Sequence, residues 1–211
     1  MKSTNKNHIK NGNFEDGWED VGAEVGHLAN QRPWDWELDW LDIGQPLYDN
    51  SDTLAGGVPE YFHCKNEELP PDQRFGAKNA HILDGSTAYI IANDYAPFGA
   101  ELYQEVNGLP AGATFRLTVS VLAVLYGDSA PWSAEAGVWV NTTGRKGGAS
   151  RDWTGAWANG QEMGDRRWHE HVVDFVVPPT GTVEVIIRVK SKRDTFKDFF
   201  IDNVRLEEVL Q

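Results

Sequence analysis

The sequence predicts an all-β protein: a two-sheet antiparallel β-sandwich of the jelly-roll kind. Three observations lead there. Apolar residues recur at a spacing of two, whereas long runs at helical spacing are missing. The alternating runs number eight or so and are separated by Gly, Pro and Asn turns. A length of 211 residues with 40% hydrophobic residues suits one large all-β domain with a substantial core.

The first strands expected are short, at 81–83, 88–92 and 101–106. The turn Leu109-Pro110-Ala111-Gly112 then leads into the clearest strand, 114–125. Phe115, Leu117, Val119, Val121, Ala123 and Leu125 line one of its faces. The other face begins polar with Arg116, Thr118 and Ser120 and turns apolar at Leu122 and Val124. Further strands are expected at 134–141 and 168–177. A run at 183–190 alternates Val183, Val185, Ile187 and Val189 against Glu184, Ile186, Arg188 and Lys190, and a last strand is expected at 199–207. Segments 30–75 and 142–166 do not read as strands. Both are rich in Trp, Gly and charge, and long loops on a rigid sandwich commonly carry function. With no repeat, no linker and no break in composition, the expected organisation is an N-terminal tail over 1–10 and a single domain over 11–211.

Charge excludes some partners. A net charge of −13 and a sequence pI near 4.8 oppose nucleic acid and anionic membrane surfaces, both of which require clustered Lys and Arg. No stretch approaches the ~20 apolar residues of a membrane helix. The N-terminal residues lack the apolar core of a signal peptide. With Cys64 alone, an intrachain disulfide and thiolate-rich zinc sites are excluded. There are 9 Trp, 9 Phe and 6 Tyr: more rings than a core needs, so some are expected to stack on a flat ligand.

Short segments in order along the chain carry a family resemblance. Asn11-Gly12-Asn13-Phe14-Glu15-Asp16-Gly17-Trp18 resembles the first strand, and Phe199-Phe200-Ile201-Asp202-Asn203-Val204-Arg205-Leu206 the last strand, of carbohydrate-binding modules built on the galactose-binding-like jelly roll. Leu102-Tyr103-Gln104-Glu105-Val106 with its following turn is similar to their middle segment. Val58-Pro59-Glu60-Tyr61 and the stretch 138–144, with Trp157 beyond it, resemble further landmarks of bacterial extracellular relatives, although Asn141-Thr142-Thr143 departs from the pattern. The resemblance implies carbohydrate (polysaccharide or glycan) as partner, an extracellular or cell-surface location, and a part in a larger multidomain protein. It also implies a structural calcium ion on the Asn13 carbonyl, the Glu15 carboxylate and the Asp202 side chain, hard oxygens of the kind calcium selects.

Candidate ligand-binding residues are Trp34, Trp36, Trp40, Glu60, Tyr95, Trp132, Trp153 and Trp157. Trp34, Trp36 and Trp40 would share a strand face, as a sugar platform or as a hydrophobic flap over the sandwich. Trp132, Trp153, Trp157 and Tyr95 sit in loop-rich context; Trp18 and Trp168 are expected to be packing. His169 and His171 share a strand face, but the four-residue helical spacing of a zinc protease is absent, so partial burial or a place on the sheet's concave surface is the expectation. Catalytic fingerprints are missing too. The expected function is therefore non-catalytic glycan binding. A glycan-active hydrolase or lyase on the same sandwich, and a structural or adhesion module that binds protein, are the alternatives.

Overall fold

A computed structural model describes residues 6–22, 30–48, 53–93, 95–128, 130–131, 133–143 and 154–209. Its centre is the strand with the strongest alternation, β7 (Thr114–Val124). The face from Phe115 to Leu125 is fully buried between two sheets. In one sheet, β7 lies between β10 (Trp168–Val176) and β12 (Lys197–Glu208), followed by β5 (Thr87–Asn93) and β4 (Glu60–Lys65). The opposing sheet runs β3 (Glu37–Trp40), β6 (Phe98–Val106), β11 (Val183–Ser191), β8 (Ala134–Asn141) and β9 (Thr154–Asn159). All pairings are antiparallel. The protein is a two-sheet antiparallel β-sandwich, as its sequence predicts.

The apolar turn of β7's second face has a physical reason. The chain between Asn66 and Leu83 folds over the outside of the β10-β7-β12-β5-β4 sheet, and Leu69 and Ile82 close on Leu122, Val124, Ile90 and Phe200. Trp168 joins this second cluster and donates its indole N–H to the Ala80 carbonyl at 2.8 Å. It is packing, in this outer layer and not between the sheets.

Several expected boundaries change. Residues 81–83 form no strand; their backbone serves the overlying loop. Segment 30–75 contains β2 (Gln31–Pro33), β3 and β4, while 142–166 contains β9 and a single-turn helix, α1 (Gly160–Met163). These strands are short, or like β9 built around Trp157 from Thr, Gly, Ala and Asn, so pairing with a neighbour makes them where composition does not. Around Asn13 the chain turns, with Phe14 in the left-handed region, and the first strand is only β1 (Trp18–Asp20), paired with β2. Residues 7–10, assigned by sequence to a tail, are tied to the body. His8 N–H donates to the Leu206 carbonyl and Lys10 N–H to Gln104 Oε1, both at 2.9 Å.

Candidate functional site

Along β6, β11, β8 and β9 the apolar residues face the core, so the alternate residues are set on the sheet's outer face. Register arranges them in rows. Asp39, Glu101, Arg188, Gly137 and Trp157 stand side by side across five strands. The adjacent row is Glu37, Tyr103, Ile186, Trp139 and Gly155. Each tryptophan thus faces a glycine on the neighbouring strand, and the reason is steric. A Cβ on Gly155 would run into the Trp139 ring, and one on Gly137 into both Trp157 and Trp139. Tyr48 uses the same device: a Cβ on Gly99 would come within 2.7 Å of its ring. Small residues let large rings lie down on the sheet.

Trp139 and Trp157 have ring centroids 5.4 Å apart and planes at 50°, and Trp157 is 41% exposed. Cations sit among them. The Arg188 guanidinium lies 3.8 Å from the Tyr48 ring centroid and 4.8 Å from that of Trp139, and Lys190 Nζ is 5.2 Å from that of Trp157. Arg188 Nε donates to Glu101 at 2.6 Å, and Lys190 pairs with Glu135 at 2.7 Å. Burial pushes the Glu101 carboxyl above the usual carboxylate range, against the opposing pull of Arg188. Burial likewise drives Tyr48 well above an ordinary phenol, and among the described residues its hydroxyl has no hydrogen-bond partner. The result is a surface of apolar ring faces bordered by fixed donors and acceptors, suited to holding a flat ligand with both apolar and hydroxyl surfaces.

Of the predicted ligand-binding residues that are described, the structure brings only Trp157 to this face. Trp36 is core, 1% exposed, with its indole N–H bonded to the Asn11 carbonyl. Trp40 points inward against Tyr61. Trp34 is exposed but lies on Gly17, since the left-handed backbone at Asp35 breaks the alternation that would have aligned it with Trp36. The platform reading of these three is therefore corrected: Trp34 stands exposed in a turn, while Trp36 and Trp40 both turn toward the core. Glu60 opens β4, at the edge of the other sheet. Tyr95 stands at one end of the sandwich against Phe196, while Phe98 is buried. Trp132 and Trp153 lie outside the described residues. Sequence reasoning passed over Trp139, Tyr48, Glu101 and Arg188. A signal existed for Trp139, which alternates with Val138 and Val140 on the same face as Glu135 and Asn141, where a ring is out of place for packing alone.

The residues assigned to calcium converge on a different place. Asp202, fully buried, accepts backbone N–H groups from Leu83 at 2.7 Å, Asp84 at 3.0 Å and Asn203 at 2.6 Å. Glu15 accepts the Ser86 N–H. Burial raises the Asp202 carboxyl to about 7 despite these bonds, and no Lys or Arg among the described residues pairs with it. Asn13 lines an adjoining polar cavity of about 350 Å³ with Asp16, Asp84 and Asn203. The oxygens are of the type a hard cation takes. Among the described residues no three His, Cys, Asp or Glu side chains gather around one point, so carbonyls and water would have to complete a shell.

His169 and His171 rings contact each other at 4.7 Å. His171 is buried on the face that continues through Val173 and Phe175.

No family model matches the chain, and no curated protein matches it in sequence. Solved structures share its fold. It is similar to the carbohydrate-binding module TmCBM61, solved in complex with β-1,4-galactotriose, at 19% identity over 97% of this chain and 99% of that one, with a TM-score of 0.58. It is similar to part of the enzymatically active domain of tailspike protein 4 from bacteriophage CBA120, at 15% identity, 96% of this chain and 21% of that one, with a TM-score of 0.54. A carbohydrate-binding module of the β-sandwich superfamily follows, at 13% identity, 96% of this chain and 61% of that one, with a TM-score of 0.50. The resemblance read from the chain's two ends holds at the level of the fold.

Proposed function

We propose that this protein is a non-catalytic carbohydrate-binding module that holds a glycan against the Trp139–Trp157 face. One observation carries the reading: two tryptophan rings lie down over opposed glycines, next to the Arg188–Glu101 and Lys190–Glu135 pairs. Sugar rings present axial C–H groups to such faces and hydroxyls to such donors and acceptors. TmCBM61, which shares the fold, was solved with a bound galactan trisaccharide. No bond is broken in this reading; the module concentrates a glycan, outside the cell, for an attached or partner activity. The proposal includes a structural calcium ion on the Asn13 carbonyl, Glu15 and Asp202, whose charge would offset that of a buried carboxylate that has no cationic partner among the described residues.

A glycan array is the test. Binding to at least one glycan, lost in Trp157→Ala with the fold intact, supports the proposal; an array without a single hit overturns it. Release of reducing ends or unsaturated products from a bound polysaccharide would replace it with the hydrolase or lyase alternative.

A further inference from the structure

At one end of the sandwich, three connections of the β10-β7-β12-β5-β4 sheet bring aromatic rings together. Tyr95 follows β5, Tyr126 follows β7 and Phe196 precedes β12. The Phe196 ring lies 4.3 Å from that of Tyr95 and 5.6 Å from that of Tyr126. These tyrosines are 65% and 52% exposed, the former the higher, so the ring faces are presented to solvent. Polar groups frame them. The Tyr126 hydroxyl donates to Asp198 at 2.7 Å, and the Arg166 guanidinium lies 5.4 Å from the Tyr126 ring centroid and bonds Asp165 at 2.6 Å.

The backbone supplies an independent observation. Tyr95 (φ 61°), Tyr126 (φ 50°) and Arg166 (φ 53°) all occupy the left-handed region. Residues other than glycine are uncommon there, and three from separate connections meet at one surface cluster. Such strain persists where the surroundings impose it, and it concentrates at ligand clamps. Packing does not account for it here, because Tyr95, Tyr126 and Arg166 are all exposed to solvent.

We infer that Tyr95, Tyr126 and Phe196, with Arg166, Asp165 and Asp198, form a second carbohydrate-binding site, separate from the Trp139–Trp157 face. The inference takes its ligand class from the proposed function. Flat aromatic faces within reach of two carboxylates and a guanidinium match a sugar's apolar face and peripheral hydroxyls. Three rings are too small a patch for a stable protein partner, which needs about 800 Å² on each side. The two sites belong to different sheets, so one glycan chain spanning both, or two chains bridged by one module, would gain avidity without any new contact.

The experiment is a calorimetric titration with a trisaccharide, beginning with β-1,4-galactotriose and continuing with trisaccharides of any array-positive glycan. It compares wild type, Trp157→Ala, and the double variant Tyr95→Gly and Tyr126→Gly. Glycine accepts the left-handed backbone, so the loops keep their course while the rings are lost. Two equivalents per chain are expected for wild type and one for each variant. In wild-type protein, NMR ring signals of Tyr95 and Tyr126 should also shift during the titration, a readout that holds if the double variant fails to fold. A single equivalent, lost with Trp157 and accompanied by no tyrosine shift, overturns the second site and leaves the sheet-face reading standing. A single equivalent that Trp157→Ala leaves intact and that shifts the tyrosines does the reverse. No binding by any trisaccharide overturns both.

Discussion

Trp139 and Trp157 are placed reciprocally. Each stands in register with a glycine of the other's strand, Trp139 with Gly155 and Trp157 with Gly137, and each ring lies over that glycine. The geometry requires four residues on two strands to agree. A Cβ at Gly137 would meet both rings, so Gly137→Ala should lift them from the sheet. Overpacking of this kind costs about 1–3 kcal/mol. Calorimetry should show a lowered Tm, and tryptophan emission should shift to the red. A variant with unchanged melting and emission would mean that the rings are not held where they appear.

Removing the exposed ring separates the platform from the core. Trp157→Ala should weaken binding of an array-positive glycan by about 2 kcal/mol, as loss of an interface anchor does, or roughly thirtyfold in Kd. Trp34→Ala should leave affinity unchanged, since Trp34 lies on Gly17 away from that face. Equal losses in the two variants would argue that the ligand lies on neither ring in particular.

Trp36 should behave as core. Its ring packs on Phe14 at 5.9 Å and its indole N–H is bonded to Asn11. Trp36→Ala should cost about 3–5 kcal/mol, which for a domain of this size lowers Tm by roughly 6–20 °C. Glycan affinity of the folded fraction should be unaffected. A drop of only a degree or two would contradict the burial.

Two buried histidines predict acid sensitivity. Burial lowers both His63 and His171 from 6.5 to about 4. The unfolded chain takes up protons at these sites from about pH 6.5 downward, whereas the folded protein resists until about pH 4. Their contribution to stability is therefore complete above pH 6.5 and is lost as pH falls through that window. A displacement of that size corresponds to about 3 kcal/mol per site as an upper figure. Urea unfolding at pH 7 and pH 4.5 should show the decline, and His63→Gln with His171→Gln should flatten it. A double variant with the wild-type slope would assign the decline to other groups.

Glu15 and Asp202 meet at the turn through Leu83, Asp84 and Ser86, so an ion there would tie the chain's two ends to one loop. A ligand specific to the folded state, at a hundred times its Kd, stabilises by about 2.7 kcal/mol. Chelation should lower Tm by about 5–10 °C. Calcium should restore it and magnesium restore it poorly, because magnesium demands a smaller octahedral shell. Glu15→Gln should melt like the chelated protein. An unchanged melt in protein shown by elemental analysis to be metal-free would leave Glu15 and Asp202 as ordinary acids.

The sequence by itself determined the sandwich, its central strand and the direction of most side chains. Period-two alternation at Phe115–Leu125 and at Val183–Val189 is a local property, and burying one face of each run leaves a single arrangement. It also showed the outward face of the central strand turning apolar at Leu122 and Val124, residues that gain from an apolar cover. The identity of that cover, the loop through Leu69 and Ile82, was decided by the tertiary structure. So was the site. Trp34, Trp36 and Trp40 are spaced as a platform, yet one left-handed residue, Asp35, sends Trp34 outward while Trp36 enters the core. Trp139 and Trp157 are distant in sequence and became neighbours through the register of β8 and β9. Spacing along a strand fixes which side a residue takes. Only the pairing of strands fixes which residues share that side, because it depends on hydrogen bonds between segments whose separation leaves no trace in either one's pattern.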